Sequence, residues 1–220
     1  MKTNIISTLV FLLTLFAYTV KAQDTDDDEV SNEIQTRTEL ELSLKASDKI
    51  KLTFMPQFRF DENLSLSKYL FEIGAEYDVL EFLELGTSYR FIVNPRDTKS
   101  TEYFNRYSLS ATAKKTYGDF EPAIRLRYSN YADDDVDDEK FLRYKASLKY
   151  DIPKCKITPS LSTELFQQLN GGGLYKVRYA AGFDYKIAKK NRINFSYKFD
   201  YYEKEYINKH IFTLGYKLKF

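Results

Sequence analysis

The sequence predicts an all-β protein, a membrane-spanning antiparallel up-and-down β-barrel of 10 to 12 strands preceded by a cleaved signal peptide. Three observations predict it. First, the stretch from Leu174 to Phe220 holds three runs in which aromatic or aliphatic residues alternate with polar or small ones. A period of two puts successive side chains on opposite faces of a strand, so each run has one apolar and one mostly charged face. Second, the runs are about twelve residues long; strands of globular proteins cluster near five or six, whereas roughly nine to eleven cross a tilted bilayer path. Third, 19 Tyr and 17 Phe make the chain 16% aromatic, although its mean hydropathy is −0.49. Aromatic girdles at two membrane interfaces and a polar lumen account for both values together.

In chain order, Lys2 gives a positive start, Ile5 to Tyr18 an apolar stretch, and Val20-Lys21-Ala22 a small-residue exit before Gln23. Residues 1–22 therefore read as a secretory signal, too short to remain as a spanning helix. Its removal takes Lys2 and Lys21, and the formal charge moves from +1 to −1. A near-neutral exported chain gives no argument for nucleic acid as a partner. Residues 23–32 carry Asp24, Asp26, Asp27, Asp28 and Glu29 without periodicity, and read as an acidic, disordered leader. Residues 33–220 read as the barrel.

The first strand sets Ile34, Leu40, Leu42 and Leu44 against Arg37, Glu39, Glu41 and Lys45, and turns at Ser47-Asp48-Lys49. The second sets Ile50, Leu52, Phe54, Phe58 and Phe60 against Lys51, Thr53, Gln57 and Arg59. Pro56 lacks an N–H to donate, so a bulge or weak edge is expected there. Strand three has Tyr69, Phe71, Ile73, Ala75 and Tyr77 opposite Glu72, Gly74, Glu76 and Asp78. Strand four has Leu83, Leu85, Thr87, Tyr89, Phe91 and Val93 opposite Glu84, Gly86, Ser88 and Arg90. Strand five has Tyr107, Leu109, Ala111 and Ala113 opposite Arg106, Ser108, Ser110 and Lys114. Strand six has Phe120, Ile124, Leu126 and Tyr128 opposite Glu121, Arg125, Arg127 and Ser129. Strand seven has Leu142, Tyr144, Ala146, Leu148 and Tyr150 opposite Arg143, Lys145, Ser147 and Lys149. Strand eight has Ile157, Pro159, Leu161, Thr163 and Leu165 opposite Lys156, Thr158, Ser160, Ser162 and Glu164.

The last three strands place Tyr175 through Ile187, Ile193 through Tyr201, and Phe212 through Phe220 on their odd or even apolar parity, against Arg178, Asp200 and their neighbours. Short connections fall near residues 47, 80, 116, 153 and 189, and longer ones near 64, 97, 135, 171 and 205. Outer-membrane barrels have short periplasmic turns and long external loops, which puts Asp133 to Glu139 outside and Phe220 at the periplasm. Eleven strands are readable, yet bacterial single-chain barrels are even-numbered. The rule leaves ten, with the Ile34 strand not spanning, or twelve, with a further strand before it.

Counting up from each short turn along the inward parity gives one level that holds Arg59, Glu72, Arg90, Arg106, Arg127, Arg143, Glu164, Arg178 and Asp200. Such a belt either selects or binds a small anionic solute, for which the guanidinium fork is suited, or fills the lumen with charges that pair with one another. No catalytic set, metal site or cofactor site is visible. His210 lies on the outward parity, and its nearest outward neighbours Phe212, Phe199 and Tyr201 offer no serine for it to activate. Cys155 stands alone, which excludes an intramolecular disulfide. The Asp133 to Glu139 run lacks the glycine and spacing of a calcium loop, and Gly171-Gly172-Gly173 lacks the Lys-Ser/Thr and helix of a phosphate loop.

Taken together, Pro56-Gln57-Phe58-Arg59, Leu85-Gly86-Thr87-Ser88-Tyr89-Arg90, Arg125-Leu126-Arg127-Tyr128, Leu142-Arg143-Tyr144-Lys145, Thr163-Glu164-Leu165-Phe166 and Arg178-Tyr179-Ala180-Ala181-Gly182-Phe183 resemble, in that order, an uncharacterised family of Gram-negative outer-membrane barrels. That family is known only as a domain of unknown function. The resemblance implies location in the outer membrane and a barrel fold, and no reaction. The ending Tyr216, Leu218, Phe220 is similar to the terminal signal read by the barrel-assembly machinery, which implies that partner beside outer-membrane lipid.

The resulting expectation is a non-enzymatic barrel, porin-like in build: a narrow pore or a structural, surface-interacting barrel with an Arg-rich lumen. Two alternatives are a lipid-modifying or lipid-hydrolysing outer-membrane enzyme built around His210, and a soluble periplasmic barrel that carries lipid.

Overall fold

The computed structural model describes residues 31–96, 100–130, 139–203 and 207–220. The expected signal peptide, most of the acidic leader and Asp133 to Asp138 lie outside the described residues. Among the described residues no helix is long and apolar enough to cross a membrane, and every regular element is a strand: β1 (Ser31–Lys45), β2 (Ile50–Phe60), β3 (Leu66–Leu80), β4 (Leu83–Asn94), β5 (Glu102–Lys114), β6 (Phe120–Ser129), β7 (Phe141–Tyr150), β8 (Ile157–Gln168), β9 (Gly173–Lys186), β10 (Asn191–Tyr202) and β11 (Ile207–Lys219). β1 thus takes in Ser31 and Asn32, the last two residues of the expected leader.

The strands form one closed barrel in the order β1-β11-β10-β9-β8-β7-β6-β5-β4-β3-β2. Neighbours in sequence pair antiparallel, as the alternating apolar runs require. The count is eleven, neither ten nor twelve. Successive antiparallel strands alternate in direction, so with an odd number the first and last run the same way. The barrel therefore closes through a parallel seam, from Ser31 opposite Ile207 to Ser43 opposite Lys219. The even-number expectation fails because parallel pairing, though slightly weaker per residue, still satisfies every ladder group and leaves no free edge.

Connections at the Phe220 end run over residues 46–49, 81–82, 115–119, 151–156 and 187–190; those at the other end run over 61–65, 95–101, 130–140, 169–172 and 203–206. The first set is called here the short-turn rim and the second the long-loop rim. At Pro56 there is no register shift. The β1–β2 ladder instead skips Leu40 and Glu41 against Met55 and Pro56 and resumes in the same register, a weak edge without a bulge. The nearest register shift on β2 lies at Arg59/Phe60.

Burial is inverted relative to a water-soluble globule. Among the described residues forty large hydrophobic side chains are exposed, Ile73 at 55%, Leu109 at 58% and Leu214 at 53% among them. The charged parity is enclosed: Arg59, Arg106, Arg143, Glu164, Lys176 and Asp200 are each 7% exposed or less. The odd-or-even face assignment therefore holds on all the strands, with one exception. A register shift at Phe166/Gln167 puts three residues of β9 opposite two of β8, and this bulge swings Tyr175 off the outward parity. Its ring packs inside on Phe141 at 5.3 Å and Tyr202 at 5.5 Å.

Candidate functional site

Among the described residues the lumen gathers most of the charged side chains that could do chemistry, and it is built in three zones. The middle zone holds paired charges. Arg90 donates from Nε to Glu72 Oε2 at 2.8 Å and its Nη2 lies 2.7 Å from the same oxygen. Glu164 Oε1 accepts from Arg125 and from Arg143, each at 3.0 Å. Arg178 grips Asp200 with both prongs of its fork, Nε on Oδ1 and Nη2 on Oδ2, each at 2.5 Å. Lys176 adds a third donor to Asp200 at 3.0 Å and also reaches the Tyr202 hydroxyl at 3.2 Å. The fork geometry of Arg on a carboxylate is among the stronger hydrogen-bonded pairings available inside a protein.

The residues foreseen from the sequence are all placed on the lumen wall, but they do not follow one hydrogen-bonded row. Glu72, Arg90 and Arg106 are successive register partners. Arg127 and Arg143 face each other in a second row, and Glu164, Arg178 and Asp200 form a third. Arg59 sits opposite Arg37 and Lys68, with its Nε on Gln57 Oε1 at 2.9 Å. Stagger between strands, which barrel closure demands, spreads one counted level over several rows. The three acids of the set each meet at least one arginine.

The second zone escaped the sequence reading. One pleat repeat above the belt, toward the long-loop rim, the inward positions turn apolar: Leu70 beyond Glu72, Ile92 beyond Arg90, Phe141 beyond Arg143, Phe166 beyond Glu164 and Tyr202 beyond Asp200. Leu70, Phe141 and Phe166 have no exposed surface, Ile92 has 1% and Tyr202 4%. Ile211, also at 0%, joins them from β11. The Phe166 ring is overlaid by the Arg143 guanidinium at 4.3 Å and the Lys176 ammonium at 4.8 Å, so the cap is locked to the charges beneath it by cation–π contact. The signal was present in the inward parity itself, which simply had to be followed two residues further on each strand.

The third zone lies at the short-turn rim, where a cavity of about 230 Å³ is lined by Asp119, Asp151, Lys154, Lys156, Asp184, Lys186 and Arg192, with Cys155 beside them. Asp184 there accepts from Lys217 at 3.1 Å and from Asn194 at 3.0 Å. Cys155 is exposed and unbridged.

On the outer face the parallel seam brings Asn32 to His210, whose ring nitrogens lie 3.4 Å from Asn32 Oδ1 and 2.8 Å from the Tyr197 hydroxyl. The ring also packs on Phe199 at 5.1 Å. Among the described residues no serine or acid is hydrogen-bonded to it. Glu139 is the one member of the acidic loop run that falls within the described residues.

No curated protein matches the chain. A family model described as "Protein of unknown function (DUF2490)" matches residues 25–209. With a closed eleven-strand barrel, an enclosed belt of ion pairs and that match over most of its length, the chain belongs to the DUF2490 family of proteins of unknown function.

Proposed function

We propose that this protein is an integral outer-membrane β-barrel whose lumen is closed at the long-loop rim, and that its role is that of a structural or surface-interacting barrel. The observation that carries the reading is the inversion of burial: apolar side chains cover the outside while Arg, Lys, Glu and Asp fill the inside. In water that arrangement would expose a continuous apolar band and enclose charge, the costly choice on both counts. In a bilayer it is the favourable one. On β3 the outward column reads Tyr69, Phe71, Ile73, Ala75, Tyr77, aromatic at both ends and aliphatic between, as an interface-to-interface path asks. The soluble lipid-carrying alternative would need the apolar column facing inward.

The cap of Phe141, Phe166, Leu70, Ile92, Tyr202 and Ile211 favours a closed lumen over a standing pore. A narrow anion-selective pore is the second reading, supported by the arginine surplus on β6 and β7. Outer-membrane lipid and, through the strand ending at Phe220, the barrel-assembly machinery are the partners of either reading. Phase separation of the expressed protein between buffer and detergent tests the membrane assignment. Recovery in the detergent phase, together with silent planar-bilayer recordings, is expected; recovery in buffer contradicts it.

A further inference from the structure

We infer that the lumen wall formed by β6 and β7 is a binding site for a small oxyanion, a phosphate or a carboxylate, centred on Arg127. Elsewhere in the lumen other arginines are held by carboxylates, as Arg90 is by Glu72 and Arg178 by Asp200. The β6–β7 wall is different. Arg125 and Arg127 are two residues apart on one strand and point the same way; their register partners on β7 are Lys145 and Arg143. Four cations therefore share one patch.

Among the described residues one carboxylate is bonded to that patch; Glu72, held by Arg90, acts on Arg127 from a distance. Glu164 spends one oxygen on both Arg125 and Arg143, at 3.0 Å each. Arg127 has no hydrogen bond or ion pair to any described residue, and its Nε is sealed from solvent without an acceptor; the Nε atoms of Arg125 and Arg143 are sealed in the same way. Arg127 is half-buried. An arginine cannot relieve such a position by losing its proton, because it stays charged at any pH the protein meets. No described residue offers it a hydrogen-bonding acceptor; a bound oxyanion does. Three guanidinium groups with unused donors on adjacent strands suit the several acceptor lone pairs of an oxyanion better than they suit chloride.

A cavity of about 230 Å³ at the short-turn mouth is bordered by Lys154, Lys156, Lys186 and Arg192 and by Asp119, Asp151 and Asp184. The long-loop mouth is capped. In this proposal an anion enters from the short-turn side, past a mouth whose four cations outnumber its three aspartates. The site does not depend on conduction, and it stands whether or not the barrel lies in the outer membrane.

The test uses the whole mature protein folded in a zwitterionic detergent, with inorganic phosphate as the probe at constant ionic strength set by chloride. Titration calorimetry and thermal unfolding are expected to show saturable binding and a rise in melting temperature. Arg127→Gln weakens phosphate at least tenfold, and melts no lower than the parent in phosphate-free buffer, because it removes a charge that had no partner. Arg127→Lys keeps the charge but not the fork and binds at least several-fold more weakly; Lys149→Gln, on an exposed pair with Glu121, leaves binding unchanged. A second arm replaces phosphate with vesicles of phosphatidylcholine with or without phosphatidylglycerol. Stabilisation by phosphatidylglycerol alone, persisting in Arg127→Gln, puts the anion on the outer face and overturns the proposal. No response to phosphate or to acetate also overturns it, as does equal phosphate affinity in Arg127→Lys or a lower melting temperature of anion-free Arg127→Gln.

Discussion

Lys176 Nζ stands 3.0 Å from Asp200 Oδ2, and neither side chain has any exposed surface. Asp200 at the same time holds the fork of Arg178, so one carboxylate is shared by two cations in the centre of the barrel. Burial of a lone charge is far costlier than burial of a matched set. Asp200→Ala strands two cations and is expected to cost about 3–5 kcal/mol. Lys176→Met leaves the Arg178 fork intact and is expected to cost about 1.5–3 kcal/mol, the scale of one hydrogen bond to a charged group. Urea unfolding of the barrel in micelles ranks the two, and the reverse order contradicts this account of the middle zone.

Phe141 and Phe166 pack against each other with no surface left exposed, and Tyr175 folds over them from the β9 bulge. Replacing either with Ala is expected to cost about 3–5 kcal/mol by cavity formation, and the pair less than the sum because they touch. The double variant removes most of the aromatic cap, and water then reaches the charge rows. Planar-bilayer recordings of Phe141→Ala/Phe166→Ala are expected to show conductance steps that the parent lacks. A double variant as silent as its parent moves the seal from the cap to the ion pairs below it.

Gly182 on β9 lies where β10 comes close. A Cβ there would meet the Phe195 carbonyl oxygen at 2.5 Å and Ser196 Cβ at 2.8 Å. Backbone cannot yield cheaply, so Gly182→Ala is expected to destabilise by about 1–3 kcal/mol, the usual scale of overpacking. Gly86, whose added Cβ would meet the Ser110 hydroxyl at 2.8 Å, has a side chain that can rotate away. Gly86→Ala is expected to fall well below Gly182→Ala in the same urea series.

The parallel seam is open to chemical trapping. Leu40 and Tyr216 are register partners across β1 and β11. With Cys155 changed to Ser to remove the native thiol, Leu40→Cys/Tyr216→Cys is expected to form a disulfide on mild oxidation. Leu40→Cys/Phe212→Cys, two pleats out of register, is expected to form little. Equal yields contradict the seam.

The strands were legible because alternation of greasy and charged residues over ten or more positions has no other physical reading, and Arg178 or Phe183 announces its face from its parity alone. The acids were equally legible as partners: Glu72, Glu164 and Asp200 share the arginines' parity. The strand count was not, since an even-number regularity says nothing about how Ser31 to Lys45 meets Ile207 to Lys219. The cap was less legible, because Leu70, Phe141 and Phe166 sit on the inward parity near strand ends, where an apolar residue among charged ones does not announce its face. Tyr175 could not have been placed, because a bulge changes the parity of one residue without leaving a mark in composition.

The chain contains no tryptophan, so each single tryptophan introduced reports only on its own position. The most direct measurement is quenching of Ile73→Trp, Leu109→Trp and Leu214→Trp by lipids brominated along their acyl chains, beside the inward Ser88→Trp and Ser162→Trp. The account predicts strong quenching and blue-shifted emission for the first three and little quenching for the last two. Outward tryptophans quenched by aqueous iodide and untouched by brominated lipid would contradict it.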